Sequence, residues 1–369
     1  MTTDFRFRPS LATTPAYVPG KPPQAPEGVT SHKLSSNELH LEPLPGVVQA
    51  VAEAATNPAT YPDPAAKALT AELAAHLDVD PARVILTAGG SEGLSAMALA
   101  TLEAGREVVF PWPSFESYPQ LAARQDARAI RVPLTAEARH DLPAMAAALT
   151  DATGLVLLCS PNNPTGPALR TDEFREFMAQ VPTDVLVVLD EAYLEFVTDP
   201  DAVDGLAEMA TYPNLVLVRT FSKAHGLAGL RVGYTVADPR VIAELRKTVA
   251  VFSVPAVSQA AALESVRRWS EVEVRAKQVA DTRDRLAAGL RAQGWQVPDA
   301  QANFVWVPLD DEAAARLEAE FLAVGLSVRK LPGGIRISIG ADEAMDRVLQ
   351  VTAAFRAESQ GASGADDAA

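Results

Sequence analysis

Val185-Leu-Val-Val-Leu-Asp-Glu-Ala-Tyr193 is the stretch that decides the fold. Its five consecutive apolar residues do not alternate with polar ones, as a half-buried strand would. They read as a strand covered on both faces, the pattern of a parallel sheet lying between helices. Asp190 ends the run. In an open α/β sheet, ligands sit beyond the carboxyl ends of the strands. A carboxylate at that place can hold a protonated ring nitrogen, and its ordinary alternative is to cap the next helix.

Three more stretches repeat the design. In Val216-Leu-Val-Arg-Thr-Phe-Ser-Lys-Ala-His-Gly-Leu-Ala-Gly-Leu-Arg231, an apolar strand drives toward Lys223, and Arg231 follows small residues. Desolvation at such a strand end disfavours the ammonium and frees a nucleophilic amine, whereas most strand-end lysines snorkel to water. Gly154-Leu-Val-Leu-Leu-Cys-Ser-Pro-Asn-Asn-Pro-Thr-Gly166 is a buried strand breaking into a loop. There Asn163 is placed to aim its amide at a ligand or to serve ordinary turn chemistry. Arg83-Val-Ile-Leu-Thr-Ala88 runs into Gly89-Gly-Ser-Glu-Gly93 and then a helix. Strand, glycine turn and helix N-terminus make an anion site, although the turn is neither a P-loop nor GxGxxG.

Short apolar runs near 84–87, 107–110, 129–132, 155–159, 185–189, 215–219 and 231–236 alternate with alanine-rich helical stretches. That alternation predicts an α/β fold with a mostly parallel seven-stranded sheet between helices. Strand-like pieces near 303–307, 326–329 and 335–339, with helices near 311–323 and 341–356, predict a smaller α+β C-terminal domain. The stretch 258–293 reads as one long helix. Six prolines between Pro9 and Pro26 rule out a long helix at the start and predict an extended N-terminal arm. The expected division is arm 1–40, large domain 41–250, small domain 251–357 and a disordered tail over 358–369.

Composition narrows the function classes. The 369 residues carry 32 Lys and Arg against 47 Asp and Glu, a net charge of −15. That argues against nucleic acid and against an anionic membrane surface as partners. A single cysteine, Cys159, excludes an intrachain disulfide, and its apolar strand suggests a packed thiol. The five histidines show no metal-ligand spacing, so no metal is expected. The start lacks a signal h-region, no apolar run reaches membrane-spanning length, and a cytoplasmic enzyme is the natural reading.

Asn163-Pro-Thr-Gly166, Asp190-Glu-Ala-Tyr193, Ser222-Lys223 and Arg231 occur in an order that resembles the fold-type I pyridoxal phosphate aminotransferases. The closer likeness is to the histidinol-phosphate and aromatic amino acid aminotransferase branch, with actinobacterial aromatic (phenylalanine) aminotransferases nearest. Supporting pieces are Pro15-Ala-Tyr-Val-Pro-Gly20, Leu34-Ser-Ser-Asn-Glu38, Tyr61-Pro-Asp63, Ser114-Phe-Glu-Ser-Tyr-Pro119, Gln301-Ala-Asn-Phe-Val-Trp306 and Ile335-Arg-Ile-Ser338. The likeness runs from about Pro15 to about Phe355. Several spaced motifs in one order are far more specific than any single one. Three places depart from the subgroup: the turn Ala88-Gly89-Gly90-Ser91, where the subgroup usually has Cys-Gly-Ser; Pro113 before the Ser-Phe-Glu motif, where it usually has arginine; and His225, where it usually has tyrosine.

The resemblance implies pyridoxal 5'-phosphate as cofactor. Lys223 would carry it and act as general base, with Asp190 on the ring nitrogen and Asn163 and Tyr193 on the ring hydroxyl oxygen. Phe115 would stack on the ring. Gly90, Ser91 and Glu92 would present backbone N–H groups to the phosphate, the Glu92 carboxylate turned away or capping. Ser222, Arg231 and Thr220 would bind phosphate oxygens. Tyr61 would reach the phosphate of the neighbouring subunit in a homodimer with shared active sites. Arg336 would fork onto the substrate carboxylate, with Tyr17 and Asn37 in the substrate pocket, and Tyr118 beside Phe115 available to line it. The implied reaction is transamination of aromatic amino acids, phenylalanine preferred, with 2-oxoglutarate. Alternatives on the same scaffold are histidinol-phosphate transamination and an amino-acid-phosphate decarboxylase. A class I aldolase would not need Asp190, Asn163 and the phosphate turn together, and a regulator of this fold would need a DNA-binding region.

Overall fold

The computed structural model describes residues 7–12, 14 and 27–366, and for residues 11, 12 and 359–366 the backbone alone. Its strands are, in chain order, β1 (His32–Lys33), β2 (Val84–Thr87), β3 (Glu107–Trp112), β4 (Arg128–Pro133), β5 (Thr153–Cys159), β6 (Leu186–Asp190), β7 (Leu215–Thr220), β8 (Gly233–Val236), β9 (Phe304–Pro308), β10 (Leu326–Ser327), β11 (Arg329–Leu331) and β12 (Gly334–Ser338). Seven form one sheet in the order β2-β8-β7-β6-β5-β3-β4. The neighbours from β4 to β7 are parallel. Only β8 runs against its neighbours β7 and β2.

The continuous apolar runs are explained by two buried faces. Val156, Leu158, Val187, Leu189, Leu215 and Leu217 pack into the core on one side. Leu155, Leu157, Val188, Val216 and Val218 pack on the other. Successive strand residues point to opposite faces, and here both faces are covered, so these runs stay apolar without alternation. Each such side chain contributes roughly 1.5–3 kcal/mol by burial. Helices Gly90–Thr101, Tyr118–Arg124 and Pro239–Leu245 cover the second face.

The smaller sheet has the order β11-β12-β9, all antiparallel; helix Asp311–Ala323 packs on β11 and β12, helix Trp269–Ala292 on β9, and the final helix Asp342–Asp366 packs on those two helices. A two-residue parallel pairing of β1 with β10 forms a sheet of its own, and the Ser338 N–H donates to the Leu34 carbonyl at 2.9 Å, tying the N-terminal segment to β12. The stretch expected as one helix over 258–293 is two, Ala256–Arg267 and Trp269–Ala292, separated at Arg268. The break turns Trp269 onto the rings of His76 and His225, at 4.0 and 4.9 Å. A helix after Pro64 starts only at Lys67, and Asp63 accepts from the N–H groups of Ala65 and Lys67 before it, both at 3.0 Å. The final helix is drawn to Asp366, past Glu358, where the sequence predicts disorder.

Candidate active site

The carboxyl ends of β2, β5, β6 and β7 open onto one cavity of about 200 Å³. Residues Cys159, Asp190 and Thr220 close these last three strands and all three line it. Lys223 stands in its wall. Its Nζ donates to the Ser36 carbonyl at 3.2 Å and lies 5.6 Å from the centre of the Tyr193 ring. Burial first, then the charges of Arg336 and Arg231, lowers this ammonium from 10.5 to about 7, with Glu38 and Asp190 opposing. A substantial fraction is therefore free amine at neutral pH, the form a nucleophile requires.

Asp190 is 4% exposed. Its Oδ2 accepts from the Tyr118 hydroxyl at 3.0 Å and its Oδ1 from the Ala192 N–H at 3.2 Å. Burial pushes its carboxyl up to about 6, held back by those two hydrogen bonds. Phe115 is half-buried on the same cavity, edge-on to Tyr118 at 5.7 Å.

At the other end lie Gly90, Ser91, Thr220, Ser222 and Arg231. Thr220 Oγ1 donates to Ser222 Oγ at 2.9 Å, and Arg231 Nη1 donates to Ser222 Oγ at 3.3 Å and to the Ala228 carbonyl at 3.0 Å. Two glycines make this turn possible. Gly89 has φ +79°, and a Cβ there would lie 2.5 Å from Arg231 Nη2. A Cβ on Gly233 would lie 2.6 Å from the Gly90 nitrogen, so β8 can approach the turn only without a side chain. The helix Gly90–Thr101 begins here, and its N-terminal N–H groups and dipole favour an anion. Glu92 does not line the cavity. Its carboxylate accepts from the N–H groups of Ala88 at 2.5 Å and Ala250 at 3.4 Å, and its own N–H donates to the Gly89 carbonyl at 3.1 Å. The carboxylate thus caps the turn, leaving Gly90 and Ser91 to face the cavity.

Arg336 is buried at 6% exposure, not a surface strand arginine. Its Nη1 donates to Asn163 Oδ1 at 2.5 Å and its Nη2 to the Ser35 carbonyl at 2.7 Å. Asn37 holds a left-handed φ of 54° and donates through Nδ2 to Tyr193 Oη at 2.9 Å. Burial pushes the Tyr193 phenol up to about 12, so it stays protonated, although Arg336 and Asn37 oppose. Ser338 and Asn303 fix Asn37: Ser338 Oγ donates to Asn37 Oδ1 at 2.8 Å, and Asn303 Nδ2 donates to the Asn37 carbonyl at 3.1 Å.

Two further expectations concern Tyr61, expected at the neighbouring subunit's site, and Tyr17. Tyr61 is 82% exposed, away from this cavity, and stacks on Phe252 at 4.6 Å. Tyr17 lies outside the described residues. Of the departures, His225 is buried behind the Lys223 loop, its Nδ1 2.7 Å from Ser265 Oγ and its ring 4.6 Å from Phe221. The Pro113 carbonyl accepts from Asn162 Nδ2 at 3.1 Å, and neither His225 nor Pro113 lines the cavity. Sequence reasoning gave no role to Ser36, Glu38, Ser338 or Asn303, although all four fall within the motifs Leu34–Glu38, Gln301–Phe304 and Ile335–Ser338. It also placed Tyr118 in a pocket wall, where the structure buries it completely, with its hydroxyl turned to Asp190.

A doubly covered sheet that gathers a lowered-pKa lysine, a buried carboxylate and an anion-binding turn around one cleft defines an enzyme acting on small molecules. The chain belongs to the family of class I and II aminotransferases, whose family model matches residues 30–351. An aromatic amino acid aminotransferase of Streptomyces avermitilis is 45% identical over 96% of this chain and 99% of its own. One from Thermobifida fusca is 46% identical over 95% and 97%. Among solved structures, the histidinol-phosphate aminotransferase of Sinorhizobium meliloti in complex with pyridoxal-5'-phosphate is similar with a TM-score of 0.85 and 27% identity, over 96% of this chain and 98% of that one.

Proposed function

We propose that this aminotransferase uses pyridoxal 5'-phosphate to move an α-amino group between an aromatic amino acid, phenylalanine first, and 2-oxoglutarate. The observation that carries the reading is the cavity itself. It sets a lysine with a lowered proton affinity between a buried carboxylate and a turn of glycine, hydroxyl and guanidinium donors. That donor set fits a pyridine nitrogen at Asp190, an aldehyde at Lys223, and a phosphate at Gly90, Ser91, Thr220, Ser222 and Arg231. When bound, the cofactor supplies an electron sink for the substrate's Cα electrons. Lys223 holds it and later moves the Cα proton, and Asp190 keeps the ring nitrogen protonated. Asn163 and Tyr193 contact the ring hydroxyl oxygen, while Phe115 covers a ring face. Arg336 offers its fork to the α-carboxylate, in the bidentate geometry that arginine favours, and Asn37 and Tyr17 belong to the substrate pocket.

The aromatic preference is supported by the names of near full-length relatives and by the apolar wall of Leu94, Phe115 and Tyr193. Histidinol phosphate is the second reading, favoured by the Sinorhizobium meliloti likeness. That substrate lacks an α-carboxylate, so Arg336 would meet its phosphate. The enzyme is further proposed to be a cytoplasmic homodimer. Among the described residues no helix is long and apolar enough to cross a membrane. Side-by-side kcat/KM values for phenylalanine and histidinol phosphate test the choice. A tenfold advantage for histidinol phosphate, about 1.4 kcal/mol of transition-state preference, would transfer the assignment. Absence of a cofactor absorbance band after reconstitution would overturn the reading as a whole.

A further inference from the structure

Asp190 meets a partner that none of the motifs announced. Tyr118 opens the helix Tyr118–Arg124, is fully buried, and brings its hydroxyl to 3.0 Å from Asp190 Oδ2. Its ring is held edge-on by Phe110 at 5.8 Å and by Phe115 at 5.7 Å. Phe115 lines the cavity and Tyr118 does not, so Tyr118 sits behind the cavity wall and reaches the carboxylate from there. An ionised carboxylate only accepts, so the phenol donates. Burial holds that phenol well above its usual range and fixes it as a donor.

We propose that Tyr118 is a positioning residue: its hydroxyl keeps the Asp190 carboxylate ionised and aimed, so that Asp190 can retain a proton on the cofactor's ring nitrogen. This rests on the role given to Asp190 above. The titratable groups facing Asp190 are Tyr118, Cys159, Glu191, Tyr193 and Lys223. Cys159 and Tyr193 are held neutral by burial. Glu191 is tied to Arg219 at 2.6 Å, and Lys223 is partly neutral near pH 7. A buried carboxylate that loses a hydrogen bond becomes more basic and competes for the proton it is meant to leave on the ring.

The test is holoenzyme reconstituted with pyridoxal phosphate carrying ¹⁵N in the ring, as wild type, Tyr118→Phe and Asp190→Asn. Phenylalanine keeps the ring between Phe110 and Phe115, so the variant is expected to fold with a near-native melting temperature. The expected wild-type signal lies in the pyridinium range and that of Asp190→Asn in the pyridine range. Tyr118→Phe falls between them, with kcat lowered about ten- to a hundredfold and KM little changed, the loss expected for a hydrogen bond to a charged group. In the cofactor-free protein, the ¹³C carboxyl titration of Asp190 moves to higher pH in Tyr118→Phe. It moves to lower pH with 3-fluorotyrosine at position 118, a stronger donor of the same shape. A Tyr118→Phe ring signal and kcat equal to wild type, beside a displaced Asp190→Asn signal, would overturn the proposal alone. So would a carboxyl titration indifferent to both replacements. A pyridinium signal retained in Asp190→Asn would instead overturn the role of Asp190, and the proposal with it.

Discussion

Lys223 shows how one residue's environment becomes chemistry. The unfolded chain holds its proton up to about pH 10.5, and the folded chain releases it near pH 7. Between those values the unfolded state binds more protons, so this residue's contribution makes stability rise with pH across that window. Below pH 7 both states are protonated and the cost of the buried charge is constant. Lys223→Met removes the ionisable group while filling the same space. In the cofactor-free protein, calorimetry should find the variant more stable than wild type at pH 7 and the gap closing by pH 10. A gap that stays flat with pH would mean the ammonium is well solvated. The same variant should lose turnover by more than about a thousandfold, since nucleophile and base vanish together. Arg336 makes the parallel case for shape. Its guanidinium already forks onto Asn163 Oδ1 and the Ser35 carbonyl, and a lysine ammonium cannot reproduce that plane. Arg336→Lys should therefore raise KM for phenylalanine and 2-oxoglutarate together, and steady-state kinetics with each substrate varied in turn would expose an effect on only one.

At the scale of elements, the anion-binding turn depends on Gly89, whose φ of 79° and ψ of 167° belong to a region essentially reserved for glycine, costing about 1–3 kcal/mol for other residues. Gly89→Ala should lose about that much stability in urea unfolding. It should also weaken cofactor affinity, because the new Cβ displaces the Arg231 guanidinium. Gly229→Ala, where a Cβ meets nothing within 4 Å, is the control, and equal behaviour of the two variants would disprove the strain argument. The same contrast explains what the sequence made legible. The runs ending at Cys159, Asp190 and Thr220 could be read because two buried faces leave no room for alternation. The residues just past them could be read because a strand end is where polar groups meet a ligand. The reversed direction of β8 could not, since an apolar run carries no direction. Nor could the Tyr118–Asp190 bond, which spans 72 residues and exists only because a helix and a strand happen to pack side by side. His225 looked close to the site because it lies two residues from Lys223, yet the loop turns its ring onto Ser265 and Trp269.

At the scale of the whole molecule, three exposed large apolar side chains are grouped: Tyr61 at 82%, Val251 at 75% and Phe252 at 38%, with Tyr61 stacked on Phe252. They adjoin a cavity of about 280 Å³ lined by Asp63, Arg246 and Phe252, remote from the lysine. Grouped apolar exposure of this kind marks contact surfaces more often than chance, and the proposed homodimer would cover it while delivering each Tyr61 to the partner's anion-binding turn. Light scattering should then find a dimer, and Tyr61→Ala should bind cofactor more weakly than wild type. The decisive experiment mixes two defective chains. In a hybrid of Lys223→Met with Tyr61→Ala, shared sites place the intact lysine of the second chain beside the intact tyrosine of the first, restoring one complete site per dimer. If Tyr61 serves its own chain, every site in the hybrid lacks either lysine or tyrosine. Cofactor titration of isolated hybrids should therefore reveal one tight, catalytically competent site per dimer under the shared arrangement, and none if each chain is self-sufficient.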